Sequence, residues 1–215
     1  MGVIPAGETE WLIDGPAGKI EVITMQPKTG EANDLAIICH PHSQMGGSMH
    51  NKVVHTVART HRDAGHLSVR FNFRSVGKSS GDFDEGRGES DDLLSVLRWG
   101  REQCPQGRLF LAGFSFGSFV LARSAEVIAN AGIDIAHLLL IAPPVHHFEF
   151  NQITSFPAPL TVIMGEADEV VPPDDVYAWF ETVTTKKQLI KVPEAGHFFH
   201  GRLNELKQWV HNDIV

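Results

Sequence analysis

Gly113-Phe114-Ser115-Phe116-Gly117 is the stretch whose reading decides the fold. Arg108-Leu109-Phe110-Leu111-Ala112, an apolar run of strand length, leads into it, and Ser118 to Ile128, which reads as a helix, leads away. A glycine-flanked serine at a strand-to-helix turn sits on a corner so tight that the serine backbone is strained. Glycine is required on both sides because a β-carbon there would meet neighbouring backbone. The five-residue pattern alone is weak evidence. With 20 glycines in the chain it arises readily by chance, and a second match stands at Gly77-Lys78-Ser79-Ser80-Gly81.

Context separates the two. The Gly77 match follows a strand, Leu67 to Phe73, but Asp82-Phe83-Asp84-Glu85-Gly86 after it is loop-like, and an acidic, glycine-rich loop is expected from Gly77 to Gly88. A phosphate-binding loop is also excluded there, because its first glycine would fall on Asn72. Ser115 has both the strand and the helix.

Outward from Ser115 the chain alternates strands and helices. Residues 9–13 and 18–25 form a hairpin signal around Asp14-Gly15-Pro16-Ala17-Gly18. Asp34 to His40 reads as a strand buried on both faces, followed by a helix from about Lys52 to Ala64. A helix is expected from Asp91 to Cys104, strands over His137 to Ala142, Leu160 to Met164 and Gln188 to Val192, and helices opening at Pro172-Pro173 and Arg202. This pattern predicts one α/β domain, residues 1–215, built on a mostly parallel twisted sheet with an N-terminal antiparallel hairpin and helices on both faces.

Composition narrows the partners. There are 18 basic and 26 acidic residues, net charge −8, with no basic run, which argues against nucleic acid or an anionic membrane. Two cysteines give no disulfide framework. Met1-Gly2-Val3-Ile4-Pro5-Ala6 lacks a charged region followed by an apolar one, and the longest apolar run, Leu138 to Val145, cannot span a bilayer. A cytoplasmic protein without a membrane span is expected; no interface pattern speaks to oligomeric state.

A serine hydroxyl is a poor nucleophile until a base takes its proton and a third group orients that base. In a serine-elbow protein the acid and then the histidine follow on loops after later strands. Asp168 lies after Leu160 to Met164, and His197 after Leu189 to Val192. Glu166, Glu169, Asp174 and Asp175 compete for the acid, the last two better suited to a first helical turn, and His200 competes with His197. The oxyanion formed in acyl transfer needs preset N–H donors. The backbone N–H of Phe116 is one candidate; the other is His42, or Ser43, on the loop His40-Pro41-His42-Ser43-Gln44-Met45-Gly46-Gly47, where Pro41 has no N–H. His40, His42 and His50 could also suggest zinc, but no further ligand is suitably spaced nearby, so no metal is expected.

Together these residues resemble the α/β-hydrolase superfamily, and more narrowly the small lidless bacterial serine hydrolases related to dienelactone hydrolases. The likeness rests on His40-Pro41-His42 with Gly46-Gly47, Asn51-Lys52-Val53-Val54, Phe71-Asn72-Phe73-Arg74 with Val76-Gly77 and Ser79, Gly113 to Gly117, Gly165-Glu166-Ala167-Asp168 and Gly196-His197-Phe198-Phe199. It implies Ser115 as nucleophile, His197 as base and Asp168 as orienting acid. Two positions depart from it: Ser115 stands where dienelactone hydrolases carry cysteine, and Ser75 where relatives commonly have glycine, a change expected to affect loop packing.

Only Pro143 to Pro159 separates two strands where larger relatives insert a cap, so an open site is expected. Its expected borders are the Gly46-Gly47 loop, His146-His147-Phe148 and Phe198-Phe199, with Ser43, His146 and Phe198 as substrate-binding candidates. The reading that follows is a cofactor-free serine hydrolase of small-molecule carboxylic esters or thioesters. A non-catalytic ligand-binding protein that keeps the fold is the alternative, and a peptidase or perhydrolase would use the same residues.

Overall fold

The computed structural model describes residues 4–214 except 6, 29 and 31; most of the N-terminal segment read above, Met1 to Ala6, lies outside the described residues. A hairpin of β1 (Glu8–Gly15) and β2 (Gly18–Met25) opens the fold, with Ile13 opposite Ile20. Then come β3 (Asp34–Cys39), α1 (Lys52–Asp63), β4 (His66–Phe71), α2 (Arg87–Gln103), β5 (Leu109–Phe114), α3 (Phe116–Asn130) and β6 (Ile135–Ile141). The chain closes with β7 (Leu160–Gly165), α4 (Pro173–Thr182), β8 (Lys187–Val192) and α5 (Leu203–Ile214).

These strands make one eight-stranded sheet, ordered β1-β2-β4-β3-β5-β6-β7-β8. β2 pairs antiparallel with β1 and β4, and the remaining neighbours are parallel. β3, β4 and β5 are buried at every position, as parallel strands covered on both faces must be. α1 packs with α5, and α2 with α3.

The chain leaves β3 for β4 on one side and then crosses back to β5 on the other. The loops at the carboxyl ends of β3 and β5 therefore diverge, and that divergence opens a crevice where such sheets bind ligands.

One boundary moved. The helix expected from Asp91 begins at Arg87, inside the supposed loop, because acidic side chains there serve as caps. Glu89 accepts the N–H groups of Gly86 and Asp84 (2.8 and 2.9 Å), and Asp84 accepts that of Gly88 (3.0 Å). Gly86, at φ 92°, supplies the left-handed turn before it. The Pro143–Pro159 segment carries a single 3-10 turn, Phe150–Gln152, whose buried Phe150 packs on Phe119 and Trp179. It builds no cap.

Candidate active site

Ser115 is the hinge between β5 and α3, at φ 53°, ψ −120°. Its N–H donates to the Ile141 carbonyl at 2.8 Å, which ties the corner to the neighbouring strand. The flanking glycines are required sterically. A β-carbon on Gly113 would lie 2.5 Å from the Gly117 carbonyl carbon and oxygen, and one on Gly117 2.5 Å from the Cys39 carbonyl oxygen. The obstacle is backbone in each case and cannot rotate away.

The loops after β7 and β8 bring two side chains to this corner. His197 Nε2 is 3.1 Å from Ser115 Oγ, and His197 Nδ1 is 2.8 Å from Asp168 Oδ2. The carboxylate is itself fixed: Asp168 Oδ1 accepts from the N–H groups of Val170 (2.9 Å) and Val171 (2.8 Å), leaving Oδ2 for the imidazole. A carboxylate accepts, so Nδ1 carries the proton and Nε2 faces the serine hydroxyl as an acceptor. Asp168 and His197 are both buried, and the Phe114 ring, 5.0 Å from that of His197, packs against the imidazole.

The competitors are placed elsewhere. Asp174 and Asp175 lie in the first turn of α4. Exposed His200 stacks on Phe198, 5.8 Å between ring centres. Glu169, weighed above only as a rival acid, accepts the His197 N–H at 3.1 Å and so holds the histidine loop.

The crevice at Ser115 is a cavity of about 560 Å³ whose wall includes Ser115, Phe116, His42, His146, His197 and Phe198. Among the described residues its wall holds no lysine, arginine, aspartate or glutamate. Burial pushes the His42 imidazole below its ordinary value, helped by His147 and opposed by Glu89. Burial, then His147, does the same to His146, against Asp175 and Asp168. Both directions favour the uncharged imidazole, so His42 and His146 lean toward neutral rings on a wall that is mostly apolar.

Ser43 is not on this wall; its hydroxyl is buried without a hydrogen-bond partner among the described residues. The two phenylalanines after His197 also part company. Phe198 lines the cavity and is 40% exposed, whereas Phe199 turns through φ 52° into the core. Met45 and Val170, exposed at the rim, escaped the sequence reading. Val170 had a signal, since a residue two after an aspartate is where an Asx turn places its N–H.

His42 lines the cavity beside Ser115, its ring 5.0 Å from that of Phe116. Neither the His42 N–H nor the Phe116 N–H has an acceptor among the described residues. The Phe116 N–H belongs to the first turn of α3, where the helix dipole favours negative charge. Residues that could hold a metal ion do not gather anywhere among those described, and no described helix is long and apolar enough to cross a membrane.

A serine on a strained corner, a histidine and an aspartate thus stand in hydrogen-bonded series at the mouth of one cavity. No family model matches the chain. It is 42% identical to an α/β serine hydrolase without a lid from Xanthomonas campestris, with a TM-score of 0.90 over 100% of this chain and 96% of that one. It is 40% identical to an α/β serine hydrolase homologue from Coxiella burnetii, with a TM-score of 0.91 over 99% of this chain and 100% of that one. An uncharacterised protein of Rickettsia prowazekii is 32% identical over 212 residues, which is 94% of this chain and 87% of that protein. The chain belongs to the α/β-hydrolase superfamily, with lidless serine hydrolases as its relatives. That membership supports hydrolase function.

Proposed function

We propose that the protein is a serine hydrolase that cleaves carboxylic esters or thioesters through an acyl-enzyme on Ser115. The observation that carries this reading is the hydrogen-bonded series Ser115–His197–Asp168 opening onto a cavity whose described wall holds no lysine, arginine, aspartate or glutamate. His197 Nε2 takes the Ser115 proton as Oγ adds to the acyl carbon, and Asp168 stabilises the imidazolium without being protonated. The resulting oxyanion lies between the N–H groups of Phe116 and His42. Collapse expels the alcohol or thiol, which receives the proton from His197. Water then adds to the acyl-enzyme, giving its proton to Nε2, and the acid leaves as Ser115 recovers its proton.

The uncapped mouth and a wall without formal charge suit an uncharged acyl group whose leaving portion extends into solvent. Fluorophosphonate treatment followed by peptide mapping tests the core of the proposal. Label on Ser115 with parallel loss of aryl-ester hydrolysis is expected; an unlabelled Ser115 would overturn it. A panel of matched oxygen esters and thioesters then sets the preferred bond.

A further inference from the structure

His40 ends the sequence that leads out of β3, is fully buried, and makes contact with two backbone groups that can each play only one role. The Phe73 N–H can only donate, and it does so to His40 Nε2 at 3.0 Å. The Pro41 carbonyl can only accept, and it faces His40 Nδ1 at 2.6 Å. The ring is thereby locked as the neutral Nδ1–H tautomer.

Pro41 C=O and His42 N–H belong to one peptide plane. No described peptide bond is cis, and in a trans peptide those two groups point in opposite directions. With the carbonyl drawn down to the buried ring, the His42 N–H is turned away from it. That N–H has no acceptor among the described residues, while its own side chain lines the Ser115 cavity. Residue 47 must be glycine for this close approach, because a β-carbon there would lie only 2.2 Å from the Pro41 oxygen. The same Gly47 donates to the His42 carbonyl at 3.0 Å.

We infer that His40 is a positioning residue: its Nδ1–H sets the Pro41–His42 peptide so that the His42 N–H is presented to the oxyanion. The inference rests on the hydrolase reading above. Burial holds the His40 ring down to about 4, so the lock persists across neutral pH. Asparagine and glutamine separate the two bonds of this ring. His40→Asn places an amide N–H near Nδ1 and keeps the bond to Pro41, losing that to Phe73. His40→Gln reaches the Nε2 position and keeps the bond from Phe73, losing that to Pro41.

His42 has φ −54°, which proline adopts without strain, so His42→Pro removes the donor and His42→Ala controls for the lost ring. On an aryl ester, kcat of His42→Pro is expected about 10²–10³-fold below that of His42→Ala with KM little changed, the cost of one oxyanion donor. His40→Gln is expected to lose about tenfold or more in kcat, and His40→Asn only a few-fold, once each is corrected for its folded fraction. The His40→Gln loss should vanish in the His42→Pro background, since both act through one N–H. Additive losses in that double variant, or an Asn variant no better than the Gln one, would overturn the positioning role while leaving the hydrolase reading intact. Equal kcat for His42→Pro and His42→Ala would instead remove His42 as a donor. If neither His40 variant folds, ¹⁵N shifts of His40 in the parent protein decide: an Nδ1–H tautomer supports the inference and an Nε2–H tautomer overturns it.

Discussion

The chain spells Gly-x-Ser-x-Gly twice, and its two copies differ in where the serine hydroxyl finds its hydrogen bonds. Ser79 Oγ donates to the Asn72 carbonyl at 2.7 Å and accepts the Glu21 N–H at 3.0 Å, so both its roles are taken by backbone. Ser115 Oγ faces an imidazole held by a carboxylate. The glycines differ as well. At Gly117 an added β-carbon would strike the Cys39 and His40 carbonyls, whereas at Gly77, φ 58°, it would strike the side-chain ends of Glu21 and Asn72. One copy is a corner where backbone meets backbone around a hydroxyl that meets the His197 imidazole. The other is a structural knot joining β2 to the loop after β4.

Alanine at each serine gives the largest contrast. Ser115→Ala should lower kcat on an aryl ester by about 10⁴-fold or more, since removing the proposed nucleophile leaves only what binding and the proposed oxyanion donors provide. Ser79→Ala should leave kcat within about threefold of the parent, because the Ser79 hydroxyl bonds the Asn72 carbonyl and the Glu21 N–H and makes no hydrogen bond to Ser115, His197 or Asp168. Steady-state kinetics on both variants checks the pair. Comparable losses would mean that the two copies are not distinct in function.

The glycines come next. Gly117→Ala must move α3 away from the end of β3, displacing the Ser115 corner and the neighbouring N–H donors together. A misplacement of about 1 Å can cost about 10²-fold in rate, and overpacking about 1–3 kcal/mol in stability. Gly77→Ala carries left-handed strain and disturbs the Glu21 carboxylate, which accepts from Asn72 at 2.8 Å and from the Lys78 N–H at 2.9 Å. Its cost should appear in urea denaturation and scarcely in kcat. An active Gly117→Ala protein would show that the close approach at Cys39 can relax.

The same contrast explains what could be read from the sequence. Ser115 was legible because strand, glycine and helix composition agree over consecutive residues, and the parallel strands were legible as unbroken apolar runs such as Leu35 to Cys39. Asp168 and His197 could be placed as partners by chain order together with their loops after two later strands, though their contact spans 29 residues. The first turn of α2 was not legible, because Asp84 and Glu89 look like loop residues until their side chains are seen capping it. Nor could sequence separate Phe198 from Phe199, since a single left-handed residue sends the second ring inward. The role of His40 depends on which backbone groups meet its two nitrogens, and no pattern of residue types encodes that.

A smaller effect measures the knot at Ser79 directly. Ser79→Ala strands the Glu21 N–H and the Asn72 carbonyl in a buried setting, at a cost of about 1–3 kcal/mol. Asn72 also accepts the Met49 N–H at 2.8 Å, so this knot underlies the loop that bears His42. Equilibrium urea denaturation should show a lower midpoint with an unchanged slope. An unaltered midpoint would mean that water replaces the hydroxyl without penalty.

The smallest effect concerns Ser75, in the same loop, where the family resemblance leads one to expect glycine. Its φ of 66° is left-handed, and the residue is exposed. A β-carbon in that region costs about 1–2 kcal/mol, which Ser75→Gly removes. Glycine also enlarges the unfolded ensemble, giving back about 0.4–1 kcal/mol. The native strain is the larger of the two, so a net gain of a few tenths to about 1 kcal/mol is expected, or about 1–4 °C in Tm for a chain of this length. Activity should not change, because Ser75 touches neither the cavity nor the serine–histidine–aspartate series. A lower Tm in a calorimetric scan would mean that the Ser75 side chain makes a compensating interaction, and that the loop after β4 has adapted to a non-glycine residue at this position.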